Sequence, residues 1–358
     1  MKRKDFNKMA LLGAAAGFVS CNVTSEIQHS DKTEKIRNKE HIQKKPLIKP
    51  EKLKEGDTIG LIAPGSPFSA EAYERALTNI TQLGFKYKNA KNLFLKYGYL
   101  AGDDKSRIED IHQMFADPEV DAIWCVRGGY GTTRLLYDLD YELIQNNPKI
   151  LLGYSDITAL LQAIHKMTGL VTFHGPVAST EMTDYIEESF RSVLMSTEKN
   201  IKLNNKISES DSDEFKPEII VNGHMKGQLA GGNLSLLSAM AGTSYQLDAT
   251  DKLIFIEDIG EKPYRIDRML TQLRQTANLK EANGIILGVF NDCNAKPDEK
   301  NTLSLKETLI DRLGYLDIPV FYGFSFGHID EMCTIPVGIE GAFVMNKQEL
   351  VLFENAVV

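Results

Sequence analysis

Four cysteines in 358 residues are too few to staple a fold. With Cys21 set aside, Cys125, Cys293 and Cys333 are an odd number with no Cys-x-x-Cys pair, which excludes a disulfide framework and a structural zinc site. No His-Glu-x-x-His run is present, so a metal hydrolase of that kind is excluded too. Positive charge is in deficit, with 41 Lys and Arg against 49 Asp and Glu and a net charge of −8. A duplex-DNA binder needs a basic face, so no nucleic-acid partner is expected. Long apolar runs are also missing: residues 9–19 are apolar but fall short of the roughly 20 needed to cross a bilayer. The 42% hydrophobic and 25% charged composition is that of a folded chain, and its length suits one large core or two ordinary ones.

The charge is unevenly spread. Residues 1–50 carry eleven Lys/Arg and five Asp/Glu, a net of +6, and residues 51–358 carry −14. The start has Lys2, Arg3, Lys4 and Lys8, then an apolar stretch and small residues before Cys21, the layout of an export signal over 1–21. Phe18-Val19-Ser20-Cys21 resembles a bacterial lipobox with Phe18 in place of the usual Leu, which makes Cys21 the lipidation candidate. Lys2-Arg3-Lys4-Asp5-Phe6 also resembles a relaxed twin-arginine signal. Residues 22–50 are polar and charged and read as a flexible tether. The expectation is an exported protein, periplasmic or membrane-tethered through a lipidated N-terminus, with a cytoplasmic protein as the alternative.

From residue 58 short apolar runs alternate with helix-period segments. Strands are expected at 58–63, 120–126, 150–152, 170–173, 252–257, 284–289 and 319–322, and helices at 69–83, 106–115, 156–166, 232–241 and 264–276. A hairpin is expected around Asn346-Lys347-Gln348. The fold class is α/β: an N-terminal parallel-sheet domain with flanking helices over 51–200, an acidic linker at 201–216, and a C-terminal α/β domain over 217–358 ending in short strands. Ligands in such sheets gather at the carboxyl ends of the strands.

Several strand ends carry chemistry. Gly153-Tyr154-Ser155-Asp156 puts a serine on a tight turn before a helix, a partial nucleophile elbow, although a serine there also serves as a helix cap. Arg127-Gly128-Gly129-Tyr130-Gly131 suits an oxyanion hole, a phosphate cradle or a plain turn, and lacks the lysine of a P-loop. Glu257 and Asp258 end a buried strand, where a carboxylate can orient an imidazole, cap a helix, or pair with Arg265 or Arg268. Of the seven histidines, His174 and His328 stand beside glycines in loops after strands and are the better catalytic candidates.

Together these segments resemble the LD-carboxypeptidase family of serine peptidases, which includes murein tetrapeptide carboxypeptidases and microcin-immunity peptidases. The resemblance runs from about Leu53 to Phe353 through Ile62-Ala63-Pro64-Gly65-Ser66-Pro67, Arg127 to Gly131, Gly153 to Leu160, His174-Gly175-Pro176, Gly231-Gly232-Asn233-Leu234, Glu257 to Glu261, Tyr264 to Arg268, Gly327-His328 and Ile335-Pro336-Val337-Gly338. It implies that Ser155 is the nucleophile, His328 the general base and Glu257 the residue orienting it, with Glu261 as the rival carboxylate. Backbone N–H groups of Asp156, Gly128 and Gly129 would form the oxyanion hole. The implied reaction is hydrolysis, through an acyl-enzyme, of the amide between an L-configured diamino acid centre and a terminal D-alanine, with no cofactor or metal. A peptidyl-nucleotide amide is the alternative substrate, and a tethered, non-catalytic muropeptide binder is the alternative function. A glutamine amidotransferase would need Cys where Ser155 stands. Relatives are often dimers, so a homodimer is implied as well.

Overall fold

The computed structural model describes residues 45–207, 215–296 and 298–358. The expected export signal with Cys21, tether residues 22–44 and linker residues 208–214 lie outside the described residues. In chain order the strands are β1 (Thr58–Ile62), β2 (Lys86–Asn89), β3 (Ala122–Cys125), β4 (Ile150–Gly153), β5 (Thr172–His174), β6 (Ile201–Asn204), β7 (Glu218–Val221), β8 (Met225–Asn233), β9 (Lys252–Ile259), β10 (Gly284–Asn291), β11 (Val320–Gly327), β12 (Ile335–Val337), β13 (Glu340–Val344) and β14 (Glu349–Leu352). The α-helices are α1 (Ala70–Gln82), α2 (Asp104–Ala116), α3 (Tyr141–Asn146), α4 (Thr158–Thr168), α5 (Asp184–Leu194), α6 (Leu234–Ala239), α7 (Pro263–Thr276) and α8 (Leu305–Leu313).

Local chemistry sets these elements. The apolar runs of β3 and β4 are buried at every residue, as expected of parallel strands covered on both faces. Helix α1 starts where Ser69 Oγ accepts the Ala72 N–H at 3.2 Å, a cap of about 1 kcal/mol. It buries Ala76 and Ile80 and stops ahead of Gly84.

The first sheet has the order β12-β5-β4-β3-β1-β2 and the second β6-β14-β13-β8-β9-β10-β11-β7. β2 through β5 and the β8 to β11 block are parallel, while β12, β7, β13, β14 and β6 pair antiparallel. Helix α4 packs against β8 and α6 and is buried almost all round. The Thr158 hydroxyl accepts the Asn233 N–H at 3.0 Å, and Gln162 Nε2 donates to the Gly231 carbonyl at 2.6 Å. These polar contacts join the nucleophile helix to the second sheet.

The structure corrects the expected boundaries in three places. Residues 201–204, expected in the linker, form edge strand β6, and β12 from the C-terminal half closes the first sheet. Residues 45–50, expected in the tether, dock on the body: Ile48 N–H donates to Gly169 O and its carbonyl accepts from Val171, each at 2.9 Å, and Lys49 pairs with Glu354 at 2.7 Å. Gly231 and Gly232, expected at or beside a helix start, extend β8 instead, and a Cβ on Gly231 would lie 1.8 Å from the Phe255 carbonyl oxygen. Close strand approach, not helix entry, is what those glycines provide.

Candidate active site

Three strand ends converge. β4 delivers Ser155, β9 delivers Glu257 and β11 delivers His328, each at or just past the carboxyl end where such sheets hold ligands. Ser155 sits one residue beyond Tyr154 with φ +62°, in the left-handed region that costs an L-residue about 1–2 kcal/mol. A 3₁₀ turn, Ser155–Ile157, then leads into α4. The capping alternative does not hold, since no side chain caps either this turn or α4.

The turn is fixed from behind. Asp156 Oδ2 accepts the Thr132 N–H at 3.0 Å and the Thr132 hydroxyl donates to the Asp156 carbonyl. Burial raises the Asp156 pKa and outweighs the lowering by these Thr132 bonds. The segment after β3 closes over the serine: a Cβ on Gly128 would lie 3.1 Å from Ser155 Cβ and 3.3 Å from Asp156 N. Only glycine lets that backbone approach without pressing on the serine. Arg127 turns outward and donates to the Pro67 carbonyl at 3.1 Å, so the glycine segment forms a backbone-lined turn beside Ser155.

Opposite, His328 Nδ1 donates to Glu257 Oε2 at 2.8 Å; an ionised carboxylate offers only lone pairs, so the imidazole must be the donor. Gly327, at φ +111°, makes the overlay possible, because a Cβ there would lie 3.0 Å from Glu257 Cβ. Asn291 Nδ2 donates to the His328 carbonyl at 2.7 Å and fixes the loop. Glu257 is 0% exposed. Burial opposes its charge, but His328, with His174 and the Asn233 side chain adding to it, more than offsets this and its pKa is lowered. Burial pulls His328 down, and the Glu257 charge and hydrogen bond win, leaving it raised. Both partners thus favour the ion pair.

The other expected residues separate clearly. Glu261 pairs with Arg265 at 3.3 Å, away from His328, so neither Arg265 nor Glu261 joins the dyad. Asp258 accepts from Asn233 at 3.1 Å and from the Ser235 N–H and hydroxyl at 3.0 and 2.8 Å; burial, with the Glu257 charge adding to it, pushes its pKa up to about 6. His174, read from sequence as a loop candidate, ends β5 and is 0% exposed, so it cannot touch a ligand in the cleft. Tyr154 lies between the two histidines, with ring centroids 4.8 Å from His328 and 6.2 Å from His174. Ser155 Oγ and His328 are not hydrogen-bonded to each other among the described residues; such bonds often tighten only with substrate bound.

A cleft of about 650 Å³ opens over this centre, lined by Tyr154 and His328 together with Arg75, Glu181, Asp330 and Glu331 among others. Arg75, which no local sequence pattern marks, reaches the cleft from α1. Asn79, one turn further along that helix, donates to the Ala178 and Thr180 carbonyls at 2.8 and 2.7 Å and so pins that face of α1 to the cleft wall. Tyr154, just past β4, and Asn291, at the end of β10, join the site without a motif of their own; their position at a strand's carboxyl end is the signal that marks them. No group of side chains suited to a metal ion occurs among the described residues.

Residues 59–175 match the LD-carboxypeptidase N-terminal domain and residues 226–343 the LD-carboxypeptidase C-terminal domain. The chain is 41% identical to the probable murein peptide carboxypeptidase of Bacillus subtilis, over 84% of this chain and 92% of that one. It is 33% identical to the murein tetrapeptide carboxypeptidase of Pseudomonas aeruginosa, over 78% of this chain and 91% of that one. Among solved structures, an MccF-like protein from Bacillus anthracis superposes with a TM-score of 0.74 at 30% identity, covering 86% of this chain and 99% of that one.

Proposed function

The chain belongs to the LD-carboxypeptidase family, and from that premise we propose that it is a serine-type carboxypeptidase releasing the terminal D-alanine of murein tetrapeptides. One observation carries the reading: a strained serine on a strand-to-helix turn directly follows Tyr154, whose ring lies 4.8 Å from that of a histidine held at Nδ1 by a buried glutamate at 2.8 Å. Those are the parts of acyl transfer.

In the proposed cycle Ser155 Oγ attacks the carbonyl carbon of the scissile amide and gives its proton to His328 Nε2. The tetrahedral oxyanion is met by backbone N–H groups of Asp156 and the Gly128-Gly129 turn. The C–N bond breaks, D-alanine leaves with the proton from His328, and an ester joins the peptide to Ser155. Water, deprotonated by His328, then attacks the ester and restores the serine. Throughout, Glu257 holds His328 Nδ1–H and stabilises the imidazolium.

The cleft suits such a substrate. Arg75 has no ion-pair partner among the described residues and is placed to take the terminal carboxylate, while Glu181, Asp330 and Glu331 suit the ammonium of a diamino residue. Arg75→Gln should raise KM for D-alanine release by roughly 10-fold to 100-fold, the range of one charge-assisted hydrogen bond of about 1.5–3 kcal/mol, and leave kcat near the parent value. Steady-state kinetics of the two proteins read this directly; an unchanged KM would remove Arg75 from recognition.

Mass spectrometry of products from a tetrapeptide panel tests the function itself. Loss of one D-alanine from peptides with an L-configured diamino centre is expected, and no cleavage after a D-configured third residue. Cleavage of peptidyl-nucleotide amides alone would move the substrate to the microcin-immunity type. Failure of Ser155 to label with a fluorophosphonate would favour a binding protein. With Cys21 as lipid anchor, the proposed place of action is the membrane surface facing the murein.

A further inference from the structure

One titratable side chain next to the centre has no part in the cycle above. His174 is fully buried, paired with Gly153 of β4 on one side and Ile335 of β12 on the other. Its ring meets Phe255 and Phe326 at centroid distances of 5.4 and 6.1 Å. Phe255 is two residues before Glu257 on β9, and Phe326 is two before His328. Side chains two apart on a strand share a face, so through Phe255 His174 packs on the face of β9 that carries Glu257, while His328 stands just past β11 after Gly327 at φ +111°. Its electrostatics agree: burial drives the imidazole down to about 4, with the Glu257 charge opposing, which leaves it neutral at neutral pH.

A neutral imidazole holds one N–H donor and one lone pair. In His174 neither ring nitrogen has a hydrogen-bond partner, and Glu257 Oε1, the oxygen His328 does not use, is buried and without one as well; the Asn233 amide, which helps lower the Glu257 pKa, donates to Asp258 at 3.1 Å instead. A buried donor and a buried carboxylate oxygen left without partners cost more than an ordinary hydrogen bond returns, and His174 and Glu257 are near enough to shift each other's pKa. A single water bonded to both is the usual remedy at such polar sites.

We propose that His174 is a positioning residue that donates a ring N–H, through one buried water, to the second oxygen of Glu257, so that the carboxylate is gripped from both sides while it holds His328. This rests on the catalytic reading of Glu257 and His328. His174 does not touch substrate; it acts through Glu257 by fixing the carboxylate plane and satisfying the oxygen that would otherwise turn toward another donor.

The test compares His174→Phe, which keeps a ring and removes the donor, with His174→Gln, which keeps a donor. For D-alanine release, His174→Phe should lower kcat by roughly 10-fold to 100-fold, as loss of an orienting partner does elsewhere, with KM within about twofold. His174→Gln should recover most of the loss. In ¹⁵N-histidine-labelled protein, the downfield Nδ1–H proton of His328 should shift or broaden in His174→Phe and return in His174→Gln. Equal impairment of both variants, or parent kcat and an unmoved resonance in His174→Phe, would overturn the proposal. If His174→Phe does not fold, His174→Met supplies the donor-free comparison. A parent protein that releases no D-alanine would count against the functional reading instead, and Ser155 labelling rates with the same resonance would then judge His174.

Discussion

Ser155→Ala is expected to lower kcat for D-alanine release by on the order of 10⁶-fold, the loss seen when a serine nucleophile is removed from an otherwise intact triad. The residual rate should stay above that in water, because the backbone donors around Asp156 and Gly128 remain. Stability should hardly move: alanine and serine both carry a Cβ, so the strain at φ +62° is unchanged. Ser155→Gly separates strain from chemistry. It should be equally inactive yet more stable by roughly 0.5–1 kcal/mol, the left-handed relief less the added flexibility of glycine. Retained activity in Ser155→Ala would sink the nucleophile assignment, and a Ser155→Gly protein no more stable than the parent would show that the turn stores no strain.

Glu257→Gln should cost about 10⁴-fold in kcat, the scale found when an orienting carboxylate is made neutral and the imidazole tautomer is inverted. The pH profile should move with it. His328 must be neutral to act as base, so activity rises as pH passes its apparent pKa. In the parent that pKa is raised, because the Glu257 charge outweighs burial. Without the Glu257 charge, burial is opposed only by the nearby Asp258, and the rising limb should shift to lower pH. A profile with an unmoved midpoint would mean that His328 does not titrate against Glu257.

Much of this arrangement is legible in the sequence, for physical reasons. β3 and β4 are short apolar runs buried on both faces, and a run of that kind between turn residues has few other solutions. Ser155, Glu257 and His328 all stand at or just past strand ends, where α/β sheets expose side chains. The rest depends on what meets what. β6, Ile-Lys-Leu-Asn, alternates buried and exposed residues but is only four long and borders an acidic stretch, so its pattern is too brief to outweigh its surroundings. β12 contains Pro336, which argues against a strand until pairing with β5 at the sheet edge makes the missing N–H harmless. His174 beside Gly175 has the local signature of a catalytic loop residue. Its burial comes from β12 lying along β5 and from Phe255 and Phe326, more than 80 residues away in the chain, and no local pattern encodes that.

The first sheet ends in a strand lent by the C-terminal half, β12, and the second in β6, from the segment that joins the halves. The halves are therefore laced, not hinged. Expressed separately, the N-terminal half would lose β12, and the C-terminal half would lose β6 if the cut fell after residue 204; a sheet so cut would bare a row of unpaired backbone groups, an invitation to aggregate. Swapping one half for that of a relative would have to exchange these strands as well, or leave each sheet with a foreign edge. The serine and the histidine sit on opposite sides of this lacing, so their spacing is set by the same hydrogen bonds that hold the molecule together. Catalytic geometry and the global fold should be lost in one cooperative step.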